Sequence, residues 1–303
     1  MHLQDYLLVI VIGTLAGTVT RMVLLRIDYK QYPGYPHGYI VHLSLGFIAS
    51  ALGAVAVPAI IYKEFTAFTF LALAAQQFSD IRNQERTTLQ SLEESELIPR
   101  GRDYIEGIAK TFEARNYLVM IVSFVTALST QLALETGVGW ALGAIVGIIM
   151  ILISKLFMTG RVIGDICEVK IADIRFEGAT LWIENIAIFN VGLASRRQEI
   201  LEGGLGVVIH PKNDNARATI HDMGQRMAIA HTAGVVLGTK KDIDIPEFSP
   251  TLRKDPDTGK VAMYIMPVEK DAQALVEAVN RTPVLETAYS KPLATKAGRY
   301  ASD

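Results

Sequence analysis

Apolar residues form long unbroken runs in the first half of the chain and short ones in the second. A bilayer core about 30 Å thick takes roughly 20 helical residues, because lipid offers backbone N–H and C=O groups no partner outside the helix. Five stretches approach that length: about Tyr6 to Leu25, Tyr39 to Tyr62, Phe65 to Ser79, Tyr117 to Leu134 and Val138 to Phe157. The third is short, and the second carries Pro58 near its end. No basic residue precedes Tyr6 and no A-x-A site follows the first run, so the pattern predicts a retained span, not a cleaved signal peptide.

From Asp165 onward the pattern changes. Val169 and Ile171 alternate with polar residues, and the runs Leu181 to Ile186, Leu205 to Ile209, Val235 to Leu237 and Val261 to Met266 read as strands. Ala216 to His231 and Lys270 to Arg281 read as helices, the first with Ile220, Met223 and Met227 on one face, the second with Leu275, Val276 and Val279. The predicted fold class is a membrane α-helical bundle of about five spans followed by a mixed α/β cytoplasmic domain. The boundaries fall at 1–160, with a cytoplasmic loop at 80–116, then 161–282, then a loosely structured tail at 283–303. Two segments, Gly206 to Pro211 and Met263 to Pro267, each read as strand, proline, helix.

Lys and Arg near span ends are retained on the cytoplasmic side, and their placement alternates. None precedes the first span; Arg21, Arg26 and Lys30 flank the first connection; Lys63 stands alone in the second; Arg82, Arg86, Arg100, Arg102, Lys110 and Arg115 fill the third. This predicts an outside N-terminus, with the third connection and everything after Lys155 in the cytoplasm. Gly13 with Gly17, Gly46 with Ser50, and the run Gly139, Gly143, Gly147 supply the small-residue spacing that lets helices approach in lipid. Few polar residues interrupt the spans, His42, Gln76 and Gln77 being the clearest, and Arg21 is expected to snorkel to the interface. That is too sparse for an ion relay.

Composition sharpens this picture. Only 11 of the 29 basic and 12 of the 31 acidic residues fall in the first 160 positions, so an even charge balance averages over two solvents. One cysteine excludes an intrachain disulfide framework and a multi-cysteine metal site, and a net charge of −2 leaves no footprint for nucleic acid.

In the third connection, Asp103 is an N-cap candidate for an amphipathic helix carrying Ile105, Ile108 and Phe112 on one side and Glu106 with Lys110 on the other. Gly107 inside it costs about 1 kcal/mol relative to Ala, which predicts a close packing neighbour. Tyr104, Ile105, Glu106, Gly107, Ile108 and Ala109 spell YIEGIA, set in RGRDYIEGIAKTFEARNYLVM. On this hexapeptide and its context the chain resembles the YIEGIA family of membrane proteins, over most of its length. The resemblance implies an endospore-forming source and a sporulation or spore-membrane role, and it carries no catalytic residue.

Asp80 ends the third run and Asp165 follows the fifth, both on the predicted cytoplasmic side. Two carboxylates within hydrogen-bonding distance cannot both ionise easily, so one keeps a proton while the other activates water. Gly164-Asp165 is similar to the second-aspartate motif of intramembrane aspartyl proteases of the prepilin-peptidase and presenilin type. Position 162 is Val where that motif has its first Gly. Glu106 is the substitute carboxylate if the third span ends elsewhere.

No cofactor or metal motif stands out. His210, His221 and His231 are spaced by eleven and ten residues, unlike a helical zinc pair. The glycine-rich Glu202 to Val207 precedes a strand where a phosphate cradle would follow one. Cys167 reads as a packed residue. The partners expected are the lipid bilayer and a protein substrate or partner on the cytoplasmic side. Three functions remain: an intramembrane aspartyl protease using Asp80 and Asp165, a non-enzymatic sensor or scaffold, and, least supported, a channel or transporter.

Overall fold

The computed structural model describes residues 3–28, 36–93, 98–156, 160–239 and 249–297. Phe157, where the fifth apolar run ends, and residues 298–303 of the tail lie outside them. The chain divides into two compact units, Met1–Thr87 with Ile108–Thr159 and Thr88–Gly107 with Gly160–Asp303.

The first unit is helical. Its elements are α1 (Leu3–Asp28), α2 (Pro36–Ile61), α3 (Phe65–Glu93) as far as Thr87, α4 (Arg102–Glu135) from Ile108 onward, and α5 (Ala141–Leu156). Among the described residues, three helical segments are long and apolar enough to cross a membrane: Tyr6–Arg26, Gly38–Ile61 and Arg102–Glu135. The 16 residues of α5 rise only about 24 Å, and α3 continues well past Ser79 into a polar stretch. The hexapeptide and the fourth apolar run, read separately from sequence, form one helix of 34 residues. No Gly or Pro stands between Ile108 and Tyr117 to break it. Asp103 sits in its first turn, inside the helix and not at its cap.

Apolar side chains stay exposed in helical stripes: Leu7, Val11, Leu15, Val19 and Met22 on α1, and Leu142, Ile145, Ile149 and Leu152 on α5. Faces of this kind suit contact with lipid. Inward, small residues set the helix spacing. A Cβ on Gly13 would lie 2.9 Å from Ala127 Cβ, one on Gly17 2.8 Å from Ser50 Cβ, and one on Gly147 3.1 Å from Thr126 Cγ2; one on Gly143 would overlap Thr130. Gly139 is different: it precedes α5, has φ +91°, and would meet nothing within 4 Å, so it serves a turn where only Gly is comfortable.

The second unit adds α6 (Ile163–Ile166), β1 (Cys167–Ile171), β2 (Ile174–Glu177), β3 (Thr180–Ile183), β4 (Ile186–Asn190), α7 (Ala194–Gly203), β5 (Leu205–Pro211), α8 (Asp214–His221), α9 (Met223–Leu237), β6 (Thr251–Lys254), β7 (Val261–Ile265) and α10 (Ala272–Arg281). A four-stranded antiparallel sheet has the order β1-β5-β7-β6, and a smaller sheet has β2-β3-β4. Every residue of β7 and the first five of β5 are buried, because both faces of the sheet are covered. Val207, Ile209, Met263 and Ile265 pack with Ile220, Ile229, Leu275 and Val279 of the helices. Val208, Ala262 and Tyr264 face Leu181, Ile183, Ile186 and Ile188 of the smaller sheet. The two strand-proline-helix segments are thus centred on neighbouring antiparallel strands, with Val207 opposite Met263.

Four expectations change here. The run Leu181 to Ile186 is not one strand: β3 ends at Ile183, the chain turns at Glu184, and β4 begins at Ile186. Ala216 to His231 is two helices, since Asp222 ends α8 and its side chain caps α9 through Gln225 N. The short run Val235 to Leu237 finishes α9 instead of forming a strand. The tail begins packed: Val284, Leu285 and Ala288 are buried.

Candidate functional site

The helical unit encloses a group of ions. Arg21 is 0% exposed, the opposite of a snorkelling side chain. Its Nη1 donates to Asp28 Oδ2 at 2.8 Å, two turns further along α1. Arg115 of α4 donates from Nε to the other carboxylate oxygen, Oδ1, at 3.1 Å. One buried carboxylate therefore holds two guanidiniums. Arg21 Nε also reaches the His42 carbonyl at 3.4 Å, and His42 Nε2 lies 3.3 Å from Glu85 Oε1. The Phe112 ring lies 4.4 Å from the His42 ring and 5.4 Å from Arg21 Cζ. Gly46, one turn after His42, makes room, because a Cβ there would overlap Arg21 Cγ.

Two guanidiniums and two carboxylates meet in this group, so charges of opposite sign are matched among these residues. Balance matters, because an unpaired ion inside a low-dielectric bundle costs several kcal/mol. Asn116, next to Arg115 in α4, is 0% exposed with neither Oδ1 nor Nδ2 hydrogen-bonded among the described residues, and Arg21 Nη2 has no hydrogen-bond partner among them. Arg suits this position, because its planar fork can address several acceptors at once. The group ties α1, α2, α3 and α4 in one arrangement, the best-attested use of a buried ionic network.

The second unit builds a seat for the residues leading into the hexapeptide. Gly224, Met227, His231 and Gly234 of α9 follow a helical period and share one face. His231 Nδ1 lies 2.9 Å from the Ile98 carbonyl oxygen, and its ring meets Tyr104 edge-on at 6.3 Å between centroids. Close approach is required throughout. A Cβ on Gly224 would lie 3.0 Å from Asp103 O, one on Gly234 2.9 Å from Ile98 Cδ1, and one on Gly101, which has φ +83°, 2.8 Å from Met227 Sδ. Glu93 Oε1 accepts from Gly101 N at 2.9 Å and holds the turn before α4. Gly107 has Thr287 as its close neighbour, at 2.9 Å from a built Cβ. Buried Gln225 donates to Pro283 O at 3.1 Å and accepts from Leu285 N at 2.8 Å, which pins the start of the tail.

Asp80 is an exposed residue of α3 in the helical unit, whereas Asp165 and Glu106 belong to the second unit. The Asp165 carboxylate is exposed and accepts from Val162 N at 2.9 Å, closing the turn of α6. Lys212 Nζ donates to the carbonyls of Gly164 and Asp165 at 2.8 and 3.1 Å, and Gly164 abuts Asn280. Glu106 is half-buried. Cys167 is buried, and burial pushes its thiol up to about 12 against the opposing pull of Lys212, so almost no thiolate exists near neutrality. The glycine-rich turn is packed: a Cβ on Gly204 would lie 2.9 Å from Tyr264 Cε2.

Sequence reasoning singled out His42 but missed Asp28 and Glu85, and it treated Arg21 and Arg115 as interfacial charges. Arg21 and Asp28 are spaced by two helical turns, and Arg115 shares a face with Ile108 and Phe112 once α4 is read as continuous. Those spacings were the available signal.

Residues 9–295 match a family model described as YIEGIA protein. A Bacillus subtilis (strain 168) relative described as "Uncharacterized protein YphB" is 41% identical over 290 residues, 96% of each chain. No solved structure matches. The chain belongs to the YIEGIA family.

Proposed function

We propose that this protein is a non-enzymatic multipass membrane sensor or scaffold whose cytoplasmic α/β domain engages a protein partner during spore formation or germination. One observation carries the reading: α4 is a single helix of 34 residues with specific fixings in both units. Its first turn is seated on α9 through Asp103 and Tyr104, and its third and fourth turns supply Phe112 and Arg115 to the buried ions. A partner that engages the first turn of α4 would bear on the same helix that carries Arg115. Completion of five spans by α3 and α5, with the N-terminus outside, belongs to the same reading and is supported by the placement of Lys and Arg and the exposed apolar stripe of α5.

Membership of the family and the Bacillus subtilis relative are consistent with an endospore-forming source, and the sporulation setting is proposed on that source. The alternative, a protease using Asp80 and Asp165, has less support, because the Asp165 carboxylate and its flanking carbonyls already have local structural partners.

The test is complementation of a deletion strain in an endospore former, scored as heat-resistant spores and their germination. Asp80→Asn and Asp165→Asn are expected to restore the wild-type count, while Gly224→Val and Tyr104→Ala, which unseat the start of α4, fail despite normal amounts in the membrane. Failure of both aspartate variants at normal abundance would turn the reading to the protease. A deletion with no effect on spore yield or germination would remove the sporulation setting.

A further inference from the structure

We propose that the helical unit carries a binding site for one anionic phospholipid in the groove between α1, α2 and α5. The groove encloses about 890 Å³ and is walled by Val19, Met22 and Val23 of α1, with Arg26, Tyr39 and Lys155 at its polar positions. Val19, Met22, Val23 and Arg26 follow at i, i+3, i+4 and i+7, so one stripe of α1 changes from apolar to cationic within a single groove. Arg26 lies in the last turn of α1, Lys155 in the last turn of α5, and Tyr39 near the start of α2, where each apolar run meets its boundary.

A cation in the last helical turn also answers the helix dipole, which accounts for each charge separately. It does not account for two such cations lining the same apolar groove with no carboxylate in the lining and no ion-pair partner among the described residues. The walls remain open: Val19 and Met22 are 42% and 47% exposed. A phosphodiester headgroup meets the charge at this level, its acyl chains lie along the apolar wall, and the Tyr39 ring sits where aromatic side chains favour the interface. A free anion would satisfy the cations and leave the wall bare, so the occupant is a lipid.

The site rests on the reading of this unit as membrane-embedded, and the test separates the two. Native mass spectrometry of the full chain, released from micelles doped with equal phosphatidylglycerol and phosphatidylcholine, is expected to retain one phosphatidylglycerol. Arg26→Gln and Lys155→Gln should each lower that preference about fivefold, Arg26→Lys should keep it, and Val19→Trp, which fills the wall, should reduce retention with both cations present. Millimolar inorganic phosphate should not displace the lipid. Equal retention of the two lipids, an unchanged preference in the double glutamine variant, or displacement by phosphate would overturn the site alone. Recovery of the chain in the soluble fraction without detergent would overturn the membrane reading and the site with it.

Discussion

Arg115 Nε lies 3.1 Å from Asp28 Oδ1, so α4 neutralises a carboxylate that α1 carries at its last residue. The other oxygen serves Arg21, and the two guanidiniums depend on a single anion. Asp28→Asn keeps the shape but removes the charge from both, and is expected to cost about 3–5 kcal/mol. Thermal unfolding of the detergent-solubilised chain should show this as a large fall in Tm. Arg115→Met should cost less, because Asp28 then keeps Arg21 as its partner. Equal losses for the two variants would mean that the carboxylate is not shared in the way its distances indicate.

Gln225 is 0% exposed and satisfies two backbone groups of the chain entering the tail, Pro283 O and Leu285 N. Gln225→Leu fills similar volume but leaves both groups without their partner, at about 1–3 kcal/mol each. Gln225→Glu keeps the shape but places a carboxylate against Pro283 O in a buried site, so it should cost at least as much as Gln225→Leu. Hydrogen exchange at the Leu285 amide is the direct readout, and protection unchanged in Gln225→Leu would show that other contacts hold the segment.

Runs long enough to span lipid and strands with strong apolar character were legible because they depend on local pattern: Leu205 to Ile209 lies within β5, and Val261 to Ile265 is β7. The ionic group was not legible, because its members come from four helices and charge near a span end reads as a topology signal when the helix boundaries are set too tightly. Arg21 illustrates this: its two-turn spacing to Asp28 is visible along the chain, but the His42 carbonyl and the Arg115 that shares Asp28 come from other helices. The seat on α9 was hidden for another reason. Gly224 falls inside a run read as one helix, Ala216 to His231, and only the approach of Asp103 O to it and of Ile98 to Gly234 explains why glycine stands at both places.

His221 should make the second unit sensitive to acid. Burial pushes its imidazole below the ordinary value of 6.5, the hydrogen bond to Gly259 O opposes this, and Lys254, Arg217 and Arg226 push it down further. The unfolded chain therefore binds the proton first as pH falls. The stability His221 contributes is complete above about 6.5 and is lost as pH drops through that value toward the lower folded one. Burial and Lys260 also lower His210, which adds in the same direction. Urea unfolding followed at Trp182 in a Trp140→Phe background should give midpoints that fall between pH 7 and pH 5. His221→Gln, which can still donate to Gly259 O, should flatten part of that slope, and a slope unchanged by the variant would assign the acid sensitivity elsewhere.

Gly107 and Gly224 both look replaceable by Ala on helix propensity, which favours Ala by about 1 kcal/mol, yet their neighbours predict opposite outcomes. At Gly107 the close atom is the Thr287 hydroxyl, on an exposed side chain that can turn away, and the next atom is 3.9 Å off. Gly107→Ala should therefore be neutral or stabilising, and more clearly so with Thr287→Ala. At Gly224 the close atom is the Asp103 carbonyl oxygen at 3.0 Å, backbone that cannot move without shifting the start of α4. Gly224→Ala should cost about 1–2 kcal/mol through overpacking and raise hydrogen exchange across residues 98–107. Urea midpoints of the two variants should move apart; a Gly224→Ala chain as stable as wild type would show that the seat on α9 has room to spare.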